Sequence, residues 1–229
     1  VDCIYMIQNM FFAPDVVLNR FYSRAEKIKP FIPDVYKQEL KGLSAGSGIS
    51  YKTILMLNVL DTIGKQYACT SVAVSNQAGD MVRSRSLDYQ DLEYLKPSML
   101  VIYKPDCGHG FASVATPGSI NVLTAINDQG LTFGVHEIIG AEPGWKGVPA
   151  GLLYRSVMEK AGTVDEAAEI LENAFRCIPQ MAMVSDKSRA AVFEFDDQQL
   201  EKIQMKGAYL VLTNHARALD IGRLWDNSM

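Results

Sequence analysis

The strand-forming part of the sequence begins at Tyr67-Ala68-Cys69-Thr70-Ser71-Val72-Ala73-Val74, directly after a segment with helical spacing. The following turn, Gln77-Ala78-Gly79-Asp80, contains residues that tolerate positive φ. Two strands joined by so short a turn, over residues 71–75 and 81–86, predict an antiparallel hairpin. We expect this hairpin to bring Arg85 and Asp88 back beside Cys69.

Helices are predicted on both sides of this strand-rich region. Before it, apolar residues recur at near-helical spacing over 17–29 and 34–43, and a third helix follows the N-cap Ser50 and ends at Gly64. After it, helices are predicted over 151–160 and 165–175. Thr163 and Glu166 form the capping-box pattern that starts the second of these.

The remaining strands fall into two groups around the later helices. They are predicted over 98–103, 119–125 and 131–135, and then over 181–185, 190–195, 200–205 and 209–212. Two stacked sheets flanked by helices satisfy this order, which gives the α+β class. With 229 residues and 48% hydrophobic content, the chain is predicted to form a single domain over residues 1–229.

Composition argues against several classes of protein. The net charge is −4, and the 22 basic residues form no run beside aromatic residues, which disfavours nucleic-acid binding. Gln8, Asn9 and Asp15 interrupt the most apolar N-terminal segment, so we expect a soluble protein without a membrane span; the compartment stays open. The four cysteines lack the spacing of a zinc site or a disulfide framework, and we expect no metal and no cofactor.

Cys69 is the candidate reactive residue. A cysteine at the start of a strand is more often a small buried hydrophobic residue than a nucleophile. A neighbouring arginine, however, favours the thiolate, and a carboxylate can hold an amine in place, so Arg85 and Asp88 would suit a reactive thiol. The alternative is that Arg85 and Asp88 form an ordinary surface ion pair, which contributes little to stability.

Three segments carry a family resemblance. Cys69-Thr70-Ser71, followed by Arg85 and Asp88 in an Arg-Ser-Leu-Asp-Tyr run, resembles the nucleophile region of the N-terminal-nucleophile cysteine hydrolases. These include acid ceramidase, N-acylethanolamine acid amidase, penicillin acyltransferase and choloylglycine hydrolase. Residues 40–51 are similar to the propeptide of the penicillin-acyltransferase-like branch, and Leu212-Thr213-Asn214-His215 resembles the family's Thr-Asn stretch.

The resemblance implies a four-layer αββα sandwich of two antiparallel sheets and a self-processing enzyme. The chain would cut itself between Ala68 and Cys69, leaving residues 1–68 as a propeptide or small subunit. The α-amine of Cys69, with a pKa near 8, would then serve as the base for its own thiol. Asp88 would hold that amine, Arg85 would favour the thiolate, and Asn214 would help form the oxyanion hole. The implied substrate is a small-molecule acyl amide with a linear C–N bond.

The sequence also departs from the family. Choloylglycine-type relatives place a second oxyanion asparagine near the end of 131–137, where this chain has His136 and Glu137, which we retain as candidate substrate-binding residues. The chain ends at Met229, soon after Asn214, so we expect part of the site wall to be missing.

Two other functions stay open at this point. One is a Cys–His thiol hydrolase that uses His136 or His215. The other is a catalytically silent, uncleaved relative with a binding or structural role. The choice between hydrolysis and acyl transfer, the substrate and the oligomeric state also stay open.

Overall fold

The structure is a computed structural model, which describes residues 15–63, 67–76, 78–89, 97–138 and 146–220. The predicted helix end at Gly64, residue Gln77 of the predicted turn and the C-terminal residues 225–229 lie outside these ranges.

The described residues include ten strands, which form two antiparallel sheets. The strands are β1 Tyr67–Ser75, β2 Met81–Tyr89, β3 Met99–Tyr103, β4 Phe111–Ala115, β5 Thr124–Asn127, β6 Thr132–Glu137, β7 Gln180–Ser185, β8 Ala190–Phe195, β9 Leu200–Gln204 and β10 Tyr209–Leu212. The smaller sheet has the order β10-β1-β2, and the larger has the order β3-β4-β5-β6-β7-β8-β9. The predicted β1–β2 hairpin and the α+β class are confirmed.

In the part of the chain that the structure describes, five α-helices accompany the sheets: α1 Asp15–Ile28, α2 Asp34–Ser47, α3 Tyr51–Ile63, α4 Ala150–Lys160 and α5 Val164–Asn173. A short 3-10 turn, Lys29–Phe31, follows α1. The predicted capping box at α5 is confirmed, since the Thr163 side chain accepts from the Glu166 N–H and the Glu166 side chain accepts from the Thr163 N–H.

The large sheet is buried on both faces at its centre, which explains why β7 and β8 are apolar at nearly every position. Phe133, Tyr154 and Phe193 belong to the core between this sheet and helices α4 and α5. Ala73 and Met183 belong to a second core between the two sheets. The small sheet therefore lies against the middle of the large sheet, with β1 and β2 facing β6.

The outward face of the small sheet is partly apolar. Among the described residues, Val82 and Tyr209 are more than half exposed on this face, so the described helices lie elsewhere. No helix in the described ranges has both the length and the apolar character that a membrane span requires.

One strand prediction is wrong. The sequence predicted a strand over 119–125, but the strands here are β4, which ends at Ala115, and β5, which begins at Thr124. The residues between them form a loop because Gly118 adopts φ +82° and the Asn58 side chain takes over the local hydrogen bonds. Asn58 donates to the Gly118 carbonyl over 3.0 Å and accepts from the Ile120 N–H over 2.7 Å.

Polar contacts of this kind connect α3 to the body of the protein. Asn121 donates to the Asn58 carbonyl over 2.9 Å and to the Asp61 carboxylate over 3.3 Å. The Ala150 N–H at the start of α4 donates to Thr62 over 3.1 Å. Residues of the predicted small subunit are therefore bonded to residues that follow Cys69.

Asp61 is a titratable member of this network. Burial raises the pKa of the Asp61 carboxyl to about 7, against about 4 for an unfolded aspartate. Between these values the folded chain holds a proton that the unfolded chain has lost. The free energy of unfolding contributed by Asp61 is therefore greatest below pH 4 and falls as the pH rises to about 7.

We predict that Asp61→Asn removes this part of the pH dependence. Urea unfolding at a series of pH values should show a flatter profile for the variant than for the wild type across that interval. Asp106→Asn, at an exposed aspartate, is the matched control and should keep the wild-type slope. Parallel profiles for the wild type and Asp61→Asn would contradict the assignment.

Candidate active site

Cys69 lies near the start of β1 with its side chain turned toward the large sheet. The residue is 2% exposed, and its backbone N–H donates to Asn214 Oδ1 over 2.6 Å. Ala68 and Cys69 are consecutive residues of β1, which begins at Tyr67. The geometry is therefore that of an uncut chain.

Arg85 reaches the sulfur of Cys69. Its Nη2 lies 3.3 Å from Cys69 Sγ and donates to the Val135 carbonyl over 2.7 Å, and its Nη1 donates to Thr124 Oγ1. Burial raises the pKa of the Cys69 thiol, while the charge and hydrogen bond of Arg85 lower it. Among the described residues, Arg85 is thus the one that counteracts the effect of burial on the pKa of the thiol.

Gly134 on β6 provides the space that the arginines occupy. A Cβ atom at Gly134 would overlap the Arg83 guanidinium and would lie 2.9 Å from Arg85 Cδ. Since real Cβ atoms do not approach other heavy atoms this closely, both side chains need a glycine beneath them. The position of Arg85 at the sulfur therefore depends on the absence of a side chain on the opposite sheet.

Asn214 follows β10 and bridges the two sheets. Its Oδ1 accepts from the Cys69 N–H, and its Nδ2 donates to the Glu137 carbonyl over 2.7 Å. An amide nitrogen carries two hydrogens, so this side chain has one more N–H to donate. The carbonyl group of Asn214 thus lies on the backbone side of Cys69, whereas Arg85 lies on its sulfur side.

Glu194 holds the segment after Asn214. This fully buried carboxylate on β8 accepts from the N–H groups of Arg217, Ala218 and Leu219, at 2.7–3.0 Å. A carboxylate that accepts several backbone N–H groups is well compensated for its burial. We infer that Glu194 fixes the loop that carries Asn214.

Asp88 is not beside the sulfur. In the register of β1 and β2 it lies opposite Ala68, one position from Leu87, which pairs with Cys69. Its side chain is exposed and accepts from Ser86 Oγ over 2.6 Å. Asp88 and the thiol therefore lie on opposite faces of the small sheet in the uncut chain, although its charge still acts to raise the pKa of Cys69.

The histidines are placed differently from a Cys–His pair. The Nε2 atom of His136 lies 2.7 Å from Ser71 Oγ, and burial together with the charges of Arg85 and Arg83 lowers its pKa to about 3. His215 is exposed and lies 3.4 Å from Thr213 Oγ1. His136 is thus a weak base bonded to a serine.

Glu137 is buried at the end of β6, where its backbone carbonyl meets Asn214. Its charge acts to raise the pKa of Cys69, so the carboxylate lies within electrostatic reach of the thiol. Among residues 15–63, 67–76, 78–89, 97–138 and 146–220, no group of three or more His, Cys, Asp or Glu side chains is placed to hold a metal ion.

A cleft of about 300 Å³ opens on the Arg85 side of the sulfur, a size within the usual range of ligand pockets. The inward face of β2 contributes Arg83 and Arg85 to its lining, and the face of β3–β5 contributes apolar side chains that include Leu100, Val114 and Ile126. A cysteine thiol, a neighbouring cation, a side-chain amide with a further N–H and an apolar cleft that Arg85 lines would together suit acyl transfer.

This fold is that of the N-terminal-nucleophile hydrolase superfamily. A Caenorhabditis elegans N-acylethanolamine-hydrolyzing acid amidase ortholog aligns with a TM-score of 0.55 and 17% identity over 65% of this chain and 71% of its own. A mutant conjugated bile acid hydrolase from Clostridium perfringens aligns with a TM-score of 0.51 and 14% identity, covering 70% of this chain and 57% of its own.

The chain belongs to the acyl-coenzyme A:6-aminopenicillanic acid acyl-transferase family, whose sequence profile matches residues 79–226. Protein dcd1A of Dictyostelium discoideum is 29% identical over an alignment of 184 residues, and the match covers 72% of this chain and 40% of dcd1A. The chain thus spans less than half the length of that relative. The resemblance to this superfamily is confirmed.

Sequence reasoning missed three residues of this site. Gly134 and Glu194 interrupt otherwise apolar strands, which was a signal that each had a special role. Arg83 was visible two positions before Arg85, on the same face of the strand. Their partners come from distant parts of the chain, so the sequence did not identify what they contact.

We predict that Gly134→Ala raises the pKa of the Cys69 thiol, because it displaces Arg85, whose charge lowers that pKa. Ultraviolet titration of the thiolate, corrected with the same chain lacking Cys69, should show ionisation at higher pH. Gly42→Ala is the matched control: its Cβ meets no neighbour, and it lies within α2, where alanine should stabilise the helix by roughly 0.5–1 kcal/mol. An unshifted titration in Gly134→Ala would contradict the role of the glycine.

We predict that Glu194→Gln lowers the free energy of unfolding by about 2 kcal/mol, because the amide cannot replace both charged acceptors. Hydrogen exchange at residues 217–219 should also become faster. Glu201, which lies opposite Glu194 on β9 and is exposed, provides the control Glu201→Gln, and this change should leave both measurements near wild type. Equal effects of the two substitutions would refute the role given to Glu194.

Proposed function

We propose that the chain is a cysteine amide hydrolase or acyltransferase that cuts itself between Ala68 and Cys69. The observation that carries the proposal is the pair of contacts on Cys69. Arg85 donates to its sulfur, and Asn214 accepts from its backbone nitrogen. The two atoms that an N-terminal nucleophile uses as nucleophile and base are thus each held by a different side chain.

In the self-cleavage step, the Cys69 thiol attacks the Ala68 carbonyl carbon. A C–S bond forms, the Ala68–Cys69 C–N bond breaks and the thiol proton passes to the departing nitrogen, so that Cys69 gains a free amine and Ala68 is held as a thioester. Water then hydrolyses the thioester and releases residues 1–68 with a new carboxylate. Once Cys69 is the first residue, its amine replaces the backbone N–H that Asn214 contacts in the uncut chain.

In turnover, the amine takes the thiol proton as sulfur attacks the substrate carbonyl. The C–N bond of the substrate breaks, and the amine of Cys69 passes the proton to the leaving amine. The resulting thioester is transferred to water or to another acceptor. Arg85 stabilises the thiolate, and the remaining N–H of Asn214 donates to the oxyanion, a contact worth roughly 3 kcal/mol in comparable sites.

Asp88 acts only after the cut. In the uncut chain it lies opposite Ala68, on the outward face of the sheet. Cleavage ends the strand at Cys69 and frees Asp88 from that pairing. We propose that its carboxylate then holds the new α-amine.

The substrate class follows from the relatives and the cleft. The C. elegans structure is named for N-acylethanolamine hydrolysis and the C. perfringens structure for hydrolysis of conjugated bile acids. The apolar wall of the cleft beside Arg85 suits an acyl chain. We therefore propose a small-molecule linear amide as the substrate.

We predict that the purified chain, incubated at mildly acidic and at neutral pH, yields two fragments separated after Ala68 whose masses add to the precursor plus one water. Cys69→Ala should abolish this cleavage. Cys177→Ala is the matched control, because Cys177 is equally buried but has a pKa raised by burial to about 12, and it should be cut as wild type is. Intact-mass spectrometry reports the result.

Other outcomes separate the alternatives. A wild-type chain that stays uncut and inert toward acyl amides would indicate a silent relative and would overturn the proposal. An uncut chain that hydrolyses amides, and loses this activity in His136→Ala or His215→Ala, would indicate a Cys–His hydrolase instead.

A further inference from the structure

Arg83 is a largely buried cation that has no carboxylate partner among the described residues. Its Nη1 donates to Thr132 Oγ1 over 2.9 Å, whereas in the described part of the chain its Nε and Nη2 are buried and have no hydrogen-bond partner. Burial, together with the charge of Arg85, lowers the pKa of Arg83 to about 9. Because burying an unpaired charge is costly, the structure maintains Arg83 at the expense of stability.

Arg83 lines the same cleft as Arg85. Arg83 and Arg85 are two residues apart on the inward face of β2, and both line the cleft. Two residues of a strand span about 7 Å. Since Arg85 contacts the Cys69 sulfur, Arg83 lies about one such step further from the site of attack, beside the apolar wall formed by β3–β5.

The two sides of Cys69 decide which half of a substrate would reach Arg83. The backbone nitrogen of Cys69 lies on the Asn214 side and would become the amine that protonates the leaving group. The leaving amine is therefore held on that side. The acyl chain would therefore lie on the opposite side of Cys69, where Arg85 and the cleft are found.

We infer that Arg83 is a specificity-determining residue that selects amides whose acyl part ends in a carboxylate, a few methylene groups from the scissile carbonyl. The methylene groups would lie along Leu100, Val114 and Ile126, and the carboxylate would accept from Nε and Nη2 of Arg83. Because these two nitrogens are shut off from solvent and Nη2 lies against Gly134, the Arg83 side chain would turn toward the cleft to bind the anion. A planar guanidinium with two free donors matches the two oxygens of a carboxylate. The selection of substrates for hydrolysis rests on the proposed function. The binding of a carboxylate by Arg83 does not depend on it.

The binding test uses the uncut Cys69→Ala chain and two amides of equal chain length, glutaramate and pentanamide. We expect glutaramate to bind tighter by roughly tenfold or more in an NMR titration, because hydrogen bonds to a charged group are strong. Arg83→Met in this background should remove the preference, and Arg83→Lys should retain part of it. Arg189→Met, at an arginine that is 52% exposed and pairs with Asp165, is the control and should keep the full preference.

The folding of Arg83→Met is checked by thermal unfolding. Since the variant removes a buried charge that has no carboxylate partner among the described residues, it should unfold at the same temperature as its parent or higher. A markedly lower temperature would mean that Arg83 supports the fold, and this result would overturn the assignment. Equal binding of the two amides to the Cys69→Ala chain would overturn it as well.

The activity test separates this inference from the proposed function. The processed wild type should hydrolyse glutaryl-p-nitroanilide with a kcat/KM roughly tenfold or more above that for pentanoyl-p-nitroanilide, and Arg83→Met should lose that ratio. Hydrolysis of both substrates at equal rates would leave the proposed function intact and refute the role of Arg83. Tight binding of glutaramate without hydrolysis of either anilide would refute the proposed function and support Arg83 as an anion-binding residue.

Discussion

The pairing of β1 with β2 over β6 is the constraint on which the site depends. Side chains alternate between the two faces of a strand, so the register that sets Cys69 opposite Leu87 and Ser71 opposite Arg85 turns the thiol and the guanidinium toward the same sheet. A slip of one residue would send Arg85 to the outward face, where Asp88 now lies. Formation of the pair at the sulfur therefore depends on strand register.

The effect of burial on the pKa is counteracted by a neighbouring charge at some groups of this site and not at others. Burial raises the pKa of the Cys69 thiol and lowers those of His136 and Arg83, so the protein environment opposes ionisation at all three groups. Arg85 offsets this for the thiol through a direct contact. Arg83 has no such compensation from a described carboxylate. A site that holds charge in this way gives up stability in exchange for a group able to recognise or transform a ligand.

The site is assembled from both sheets and from both ends of the described chain. Asn214 reaches Cys69 across a sequence separation of 145 residues. Its loop is held by Glu194, on the large sheet. At the other end, Asn58 and Asp61 connect α3 to the loop before β5, so the segment predicted to be cut away packs against the rest of the uncut chain. Loss of either set of contacts would be expected to alter the geometry around the thiol.

The amino-acid sequence by itself determined the local features of this protein. It predicted the hairpin and the capping box at α5, because each depends on residues close together along the chain, and it predicted the superfamily from three short segments between residues 40 and 215. The error over 119–125 arose where a side chain from α3 overrides strand propensity, and β4 was missed. Only the tertiary structure decided that Gly134 makes room for two arginines and that Glu194 holds a distant loop. It also decided that Arg83 has no carboxylate partner among the described residues. The physical reason is that packing space and charge compensation are set by contacts between segments far apart in sequence, which periodicity and spacing do not record.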